Sequence, residues 1–386
     1  MRWRPPETMR RRGSARCPAP PASRTLAGDA GLPIATTVTT PPPSDDRPRT
    51  AVLMQLNGMG DLVWHAEYFR CIARTSRDGQ VTLIAPPTVM ARDLVGHEPW
   101  LREVIDFDRR PRRSERRRGR HSGLLGPWRF GAELAPKRLE RMVLFSDHPG
   151  RGVIACWRAG IPLRIGYGAT WLQRRLLTKA PRIEMYRGPA VAGYKDATAF
   201  AIAQGWCDAP IVPRIGVRPD ALERMRARLA RLPRPLHALA IGASEPYKQW
   251  GEENFAALCG LLAARGQGVL LLAGPAERAL AQAVLARIPA PLRANVDAMT
   301  DGTVADSVAA LSLARSCIGN DTGAANIAAA VGTRTWVILG PRPPLEHDPE
   351  HLAMIRAPAL ADIAPEQVLQ QVAAAGMLEP GGEGRG

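Results

Sequence analysis

Nowhere in the 386 residues does an apolar run approach the roughly 18 that a membrane-spanning helix needs, and such a helix is excluded. The six cysteines, Cys17, Cys71, Cys156, Cys207, Cys259 and Cys317, lack the paired spacing of zinc sites and redox motifs. They point to a reduced, cytoplasmic chain without structural metal. Acid is also short, with 36 Asp and Glu against 52 Lys and Arg. What is present excludes disorder of the whole chain: 45% of the residues are apolar and 23% charged, a composition that buries a sizeable core. The length suits two or three domains of about 100–200 residues each.

A net charge of +16 resembles a nucleic-acid signature until its distribution is considered. Residues 1–50 carry nine Arg against four acids, and residues 109–120 (RRPRRSERRRGR) carry eight Arg against one Glu. Together they hold +12 of the +16, so the folded body is nearly balanced and nucleic acid is not its expected partner. The arginine run is either a solvated, mobile loop or a peripheral contact with an anionic membrane, to which polybasic clusters are attracted.

Residues 1–49 contain ten prolines and no hydrophobic period, the composition of a disordered tail or of translation from an upstream start. No apolar stretch of the kind a secretory signal requires follows its arginines. From residue 51 the pattern alternates. AVLMQL, QVTLIA, residues 104–107, RMVLFS and LRIGY read as strands, with helices over 62–74 and 152–159. Helices over 196–204 and 220–232, closed by Pro233 and Pro235, lead to a second run. There HALAIG, VLLLAG, SCIG and TWVILG are strands, and residues 252–265, 276–287, 303–314 and 322–331 are helices. Such alternation predicts an α/β protein with two doubly wound, Rossmann-like domains facing a central cleft. The expected units are a first domain over 50–215 with an arginine-rich insertion at 109–120, a second over 216–356, and a C-terminal helix and tail over 357–386.

Ligands in such sheets bind beyond the carboxyl ends of the strands, where the following helices present free amides. Three junctions have suitable residues. In Asn57-Gly58-Met59-Gly60-Asp61 the glycines Gly58 and Gly60 permit a tight turn and close backbone approach to a ligand. A dinucleotide fingerprint would need a third glycine where Val63 stands, and an acid after the next strand, which ends Ala85-Pro86-Pro87. Asp61 also suits a helix N-cap. In the segment 242–250, GASEPYKQW, small residues including Ser244 precede Lys248, which fits a phosphate site and equally an ordinary surface loop; Trp250 reads as a packed anchor. In the segment 319–326, GNDTGAAN, Asp321 would cap the next helix while amides of Thr322, Gly323 and Ala324 hold a diphosphate.

In this order the strings GMGDLVWHAEYFRCI, GASEPYKQWGEENFAAL and GNDTGAANIAAAVGTRTWVILGP resemble the characteristic segments of the heptosyltransferases of glycosyltransferase family 9, which have the GT-B fold. WRAGIPLRIGY and LLAGPAE add to the likeness, which spans roughly residues 51–376. The resemblance implies inverting, metal-independent transfer of a sugar from a nucleotide-diphosphate donor, usually ADP-heptose, to a saccharide or glycolipid acceptor of the lipopolysaccharide core. No cofactor is implied. It implies a cytoplasmic enzyme, peripheral at the inner face of the cytoplasmic membrane. Asp61 matches the family's general base. Lys248 with Ser244, and Asp321, Thr322 and Gly323, match the donor-phosphate contacts. Glu277 matches a ribose contact, although a glutamate in a first helical turn is also favoured by the helix dipole. Asn326 departs from the family, which has histidine there; an amide still donates a hydrogen bond. His65, one turn beyond Asp61, lies on the same side of its helix. The alternative to a transferase is a nucleotide-sugar or polyanion binding protein of the same fold.

Overall fold

The computed structural model describes residues 45–378 apart from 110, 112–114, 146–149, 169–170, 181–194, 244 and 346–347. Elements follow in the order β1 (Thr50–Met54), α1 (Met59–Arg74), β2 (Val81–Ala85), α2 (Ala91–Val95), β3 (Leu101–Asp106), α3 (Gly126–Leu134), β4 (Arg141–Phe145), α4 (Gly150–Ala159), β5 (Leu163–Gly166), α5 (Trp171–Leu176) and α6 (Lys195–Ala203). After these come α7 (Pro219–Leu229), β6 (Leu236–Ala240), α8 (Glu252–Ala263), β7 (Gly268–Leu272), α9 (Arg278–Arg287), β8 (Val296–Met299) and α10 (Val304–Ser312). The chain continues through β9 (Ser316–Asn320), α11 (Gly323–Ala330), β10 (Arg334–Ile338), β11 (Leu352–Ile355) and α12 (Pro365–Ala374).

The strands form two wholly parallel sheets, ordered β3-β2-β1-β4-β5 and β11-β10-β9-β6-β7-β8. Parallel strands covered on both faces read as unbroken apolar runs, and β1, β2, β4, β6 and β7 are buried at every position. The edge strands β8 and β11 break that rule. Each is four residues long with a half-exposed middle, and neither has a sequence signal. Strand β3, also at an edge, begins at Leu101 rather than residue 104. Helix α1 begins at Met59 rather than residue 62, because its glycine-rich first turn is held by a cap and not by propensity.

One apolar cluster runs between the sheets, joining Val52, Phe69, Leu83 and Phe145 to Met225, Ala238, Leu270 and Ile327. Helices α1 and α2 pack there against α11 and α10. Aromatic rings of Phe145, Tyr167, Phe200 and Trp206 interlock beneath α6 at centroid distances of 4.8–6.3 Å.

The described part of the arginine run is exposed at residues 115–118 and 120, as a solvated loop would be, and is tethered by ion pairs. Arg117 pairs with Asp108 and Glu115, and Arg120 with Glu133 of α3 at 2.6 Å. Arg109 donates to Gln55 Oε1 at 2.9 Å. The following His121 is buried against the mutually stacked rings of Phe107 and Phe130. Among the described residues no helix is long and apolar enough to cross a membrane.

Candidate active site

Both sheets reverse their strand order beside the first strand of each run. At β1 the chain moves outward through β2 and β3, then returns to β4; at β6 it moves through β7 and β8, then returns to β9. The loops leaving such neighbouring strands diverge to opposite faces and open a crevice at the carboxyl edge. Two of the three junctions, after β6 and after β9, therefore adjoin at one switch point. The third, after β1, faces them from the other sheet.

At the β1 junction the helix N-cap is Gly58, and Asp61 is the third residue of the helix, not its cap. Its Oδ2 accepts the Gly58 N–H at 2.8 Å, which orients the carboxylate. Both glycines bring backbone close to other protein atoms. A Cβ on Gly58 would stand 3.0 Å from Asp61 Oδ2, and one on Gly60 would stand 2.9 Å from Asn326 Nδ2 and 3.7 Å from Gly323 Cα. A Cβ on Gly323 would in turn lie 3.5 Å from the Gly60 nitrogen. The starts of α1 and α11 thus meet backbone to backbone. His65 does not face the cleft: it is buried, stacked on Phe69 and edge-on to Phe145, with Nδ1–H donating to the Asp61 carbonyl at 2.6 Å. Burial pushes its pKa down, which favours the neutral ring.

Across the cleft, Lys248 ends a short turn, Pro246–Lys248, and its Nζ lies 3.6 Å from Asp321 Oδ2 and 3.9 Å from Glu245 Oε2. Arg342 binds the same Asp321 oxygen through Nη1, while its Nε donates to the Leu339 carbonyl at 3.1 Å. Its Nη2 is buried without a hydrogen-bond partner. Asp321 therefore holds two cations in place and does not cap α11; the N-cap is Thr322, which makes no side-chain cap bond. Amides at the start of α11 are left to other acceptors, such as phosphate oxygens.

Asn320 fastens the junction together. Fully buried, its Nδ2 donates to the carbonyls of Ile241 and Gly242 (3.0 Å each) and to Gln249 Oε1 (2.9 Å), and its Oδ1 accepts the Trp250 N–H at 3.0 Å. The lysine-bearing loop is in this way hung from the end of β9. Trp250 is the packed anchor expected, edge-on to Phe255 with Nε1–H donating to the Ile363 carbonyl. Sequence reasoning assigned no role to Asn320 or Arg342. The signal for Asn320 lay inside a motif already singled out; Arg342, 21 residues beyond Asp321, had none.

A cavity of about 410 Å³ adjoins this cluster, in the size range of small-molecule sites. Met59, Thr88 and Met90 close it from the first half, and Gly242, Glu277, Ser307, Thr322 and Gly323 from the second. Glu277 accepts the Gly274 N–H at 2.9 Å, so the helix-start role holds, and its carboxyl stands against Gly242 within the cavity. Asn326 is buried beneath Gly60. Its Nδ2 donates to the Thr322 carbonyl at 3.2 Å, and its Oδ1 has no hydrogen-bond partner. Ser244 lies outside the described residues. Among the described residues there is no group of three or more His, Cys, Asp or Glu that could hold a metal ion.

The sequence family described as glycosyltransferase family 9 (heptosyltransferase) matches residues 152–355, just over half of the chain. The match begins beyond the β1–α1 junction. No curated protein sequence gives a match. Among solved structures, the Escherichia coli ADP-heptose LPS heptosyltransferase II is 19% identical, with a TM-score of 0.68 over 86% of this chain and 98% of the other. A glycosyl transferase family 9 structure from Veillonella parvula is 18% identical, with a TM-score of 0.70 over the same shares. The E. coli heptosyltransferase WaaC with ADP is 16% identical, with a TM-score of 0.61, again over 86% and 98%. These neighbours share the GT-B fold with this chain.

Proposed function

The chain belongs to glycosyltransferase family 9, and we propose that it moves a heptose from ADP-heptose to a saccharide of a lipopolysaccharide-core acceptor, with inversion and without a metal ion. The observation that carries this reading is the meeting of the two helix starts at Gly60 and Gly323. In this reading the Asp61 carboxylate, the Lys248 and Arg342 cations and the cavity of about 410 Å³ act together around that contact. The nucleoside lies in the cavity with Glu277 toward its ribose. Its diphosphate spans the start of α11 and reaches Lys248 and Arg342.

The acceptor hydroxyl approaches from the first half. Its oxygen forms a bond to the anomeric carbon as the bond from that carbon to the diphosphate breaks. The hydroxyl proton passes to Asp61, and the electron pair leaves with ADP. Negative charge developing on the leaving group is met by Lys248, Arg342 and the α11 amides, fixed before reaction begins. The acceptor, built on a lipid, brings the reaction to the inner face of the cytoplasmic membrane.

Thermal-shift titration of the full chain with ADP, UDP, GDP and NADH, without metal, tests the donor site; a ligand at about 100 times its dissociation constant adds about 2.7 kcal/mol. ADP is expected to stabilise the protein and Lys248→Ala to lose that shift. In a turnover assay with ADP-heptose, Asp61→Asn is expected to keep the shift and lose the reaction. Wild-type turnover in Asp61→Asn would remove the base from the mechanism. Stabilisation by ADP with no product from any donor would favour a binding protein, in line with the neutral Asn326.

A further inference from the structure

The surface formed by α3, α4 and α5 differs from the rest of the molecule. Of the seven large hydrophobic side chains that stand exposed among the described residues, six are here: Leu124, Leu125, Trp128, Ile154, Trp157 and Trp171. The three tryptophans are each more than half exposed, and Leu124 is 94% exposed. They stand on helices that pack in series, α3 on α4 and α4 on α5, and on the loop leading into α3. Helices α3 and α4 approach so closely that a Cβ on Gly131 would stand 2.6 Å from the Ala155 carbonyl oxygen. That approach sets the Arg158 guanidinium of α4 over the Trp128 ring of α3, 5.3 Å from its centroid. Arg151, in the first turn of α4, donates to the Gly123 carbonyl at 2.8 Å and ties down the loop carrying Leu124 and Leu125. Ile154 and Trp157 are one turn apart on α4, and Trp171 opens α5, which packs against α4.

The charge here has one sign. Arg129, Arg151, Arg158, Arg174 and Arg175 stand on these helices, whose single acid, Glu133, is bound to Arg120 and His121. Soluble surfaces rarely gather apolar side chains in this way unless something covers them. Tryptophan prefers the boundary between lipid headgroups and acyl chains, because its ring is apolar and its N–H polar. Arginine pairs with phosphate, and no unpaired acid repels an anionic surface. We propose that the α3–α4–α5 face docks the protein on an anionic phospholipid bilayer, with Trp128, Trp157 and Trp171 in the headgroup boundary and the arginines on lipid phosphates.

The described part of the arginine run, the segment the charge pattern points to, meets this face where Arg120 pairs with Glu133 of α3, and its Arg117 pairs with Asp108 and Glu115. The first turn of α4 reaches the same edge of the sheet as the β1 junction. Gly152 of α4 packs against Leu53, and its Cβ would lie 3.9 Å from Gln55 Nε2, just beyond β1. A docked molecule would hold its β1 junction near the bilayer, a consequence independent of which donor the second half binds.

The test uses the full chain and sedimenting vesicles of phosphatidylcholine, alone or mixed with phosphatidylglycerol, with a brominated lipid in a parallel set. The wild-type protein should bind only the anionic vesicles, and the brominated lipid should quench its tryptophan fluorescence. The variant Trp128→Ser/Trp157→Ser/Trp171→Ser should partition on the order of tenfold more weakly and lose the quenching, with an unchanged melting temperature. Should that variant fold poorly, the single replacements are read in the same way, each weakening binding. Three results would overturn the proposal: no binding by the wild type, binding without quenching and without loss in the variants, or a monomer–dimer equilibrium that the variants abolish while vesicle binding persists. The second would leave binding to the arginine run or the tail, and the third would give the face to a second copy of the chain.

Discussion

Asp321 illustrates how neighbours decide what a carboxylate does. Its position before a helix suggests a cap, but Lys248 and Arg342 converge on it instead, all three side chains only about a fifth exposed. At that depth the pairs are screened less than surface ion pairs, and each cation is held where an incoming diphosphate would displace or share the carboxylate. Arg342→Ala should therefore weaken ADP binding by about tenfold, roughly 1.4 kcal/mol, with Arg342→Lys recovering part because it keeps the charge and loses the fork. Isothermal titration of ADP into the three proteins checks this, and equal affinities would take Arg342 out of the site. Lys248, Asp321, Thr322 and Gly323 were readable from local strings, since each stands in a strand-to-helix junction rich in small residues. Arg342 was not, because its approach to Asp321 depends on how β10 returns beside β9.

The elements most readily recognised were those buried on both sides, where an apolar run or a helical period is long enough to register. Short edge strands such as β8 and β11, with Asp297 in one of them, were invisible for the same reason. The meeting of α1 with α11 was also unreadable, though both glycines were noticed, because their partners are more than 260 residues apart. That contact gives a prediction about packing. Asn326 cannot swing away from a Cβ at position 60 without losing its bond to the Thr322 carbonyl, so Gly60→Ala should destabilise the protein by about 1–3 kcal/mol. Asn326→Ala removes the obstructing amide, and the double variant should be more stable than the sum of the single effects by roughly 1 kcal/mol. Urea unfolding of the four proteins measures the difference; strict additivity would mean that the two helix starts do not press on one another.

Across the whole molecule, each half buries a histidine whose pKa is lowered chiefly by desolvation: His65 on α1, and His237 on β6 between Ser316 and Gln267. In the unfolded chain both titrate near their ordinary value of about 6.5. Above that pH neither state binds the proton and they contribute no slope. Below it the unfolded chain takes up protons that the folded one refuses, and stability falls as the pH drops. Glu67, raised by burial, acts in the opposite direction as a single group. Denaturation midpoints should decline from pH 7 toward pH 5, and His65→Leu/His237→Asn should flatten that decline whatever its effect on overall stability. An unchanged slope would place the titrating groups elsewhere. The order of strands and helices, the two Rossmann-like runs and the strand-end loops suited to phosphate are local properties, set by apolar period, glycine and charge within a dozen residues. Which loops share a crevice, that Asp321 binds cations rather than capping a helix, that His65 belongs to the core, and that three tryptophans lie on one arginine-lined face were decided only by tertiary structure. Each depends on the strand order of a sheet or the packing of helices far apart in sequence, and no local pattern encodes such pairings.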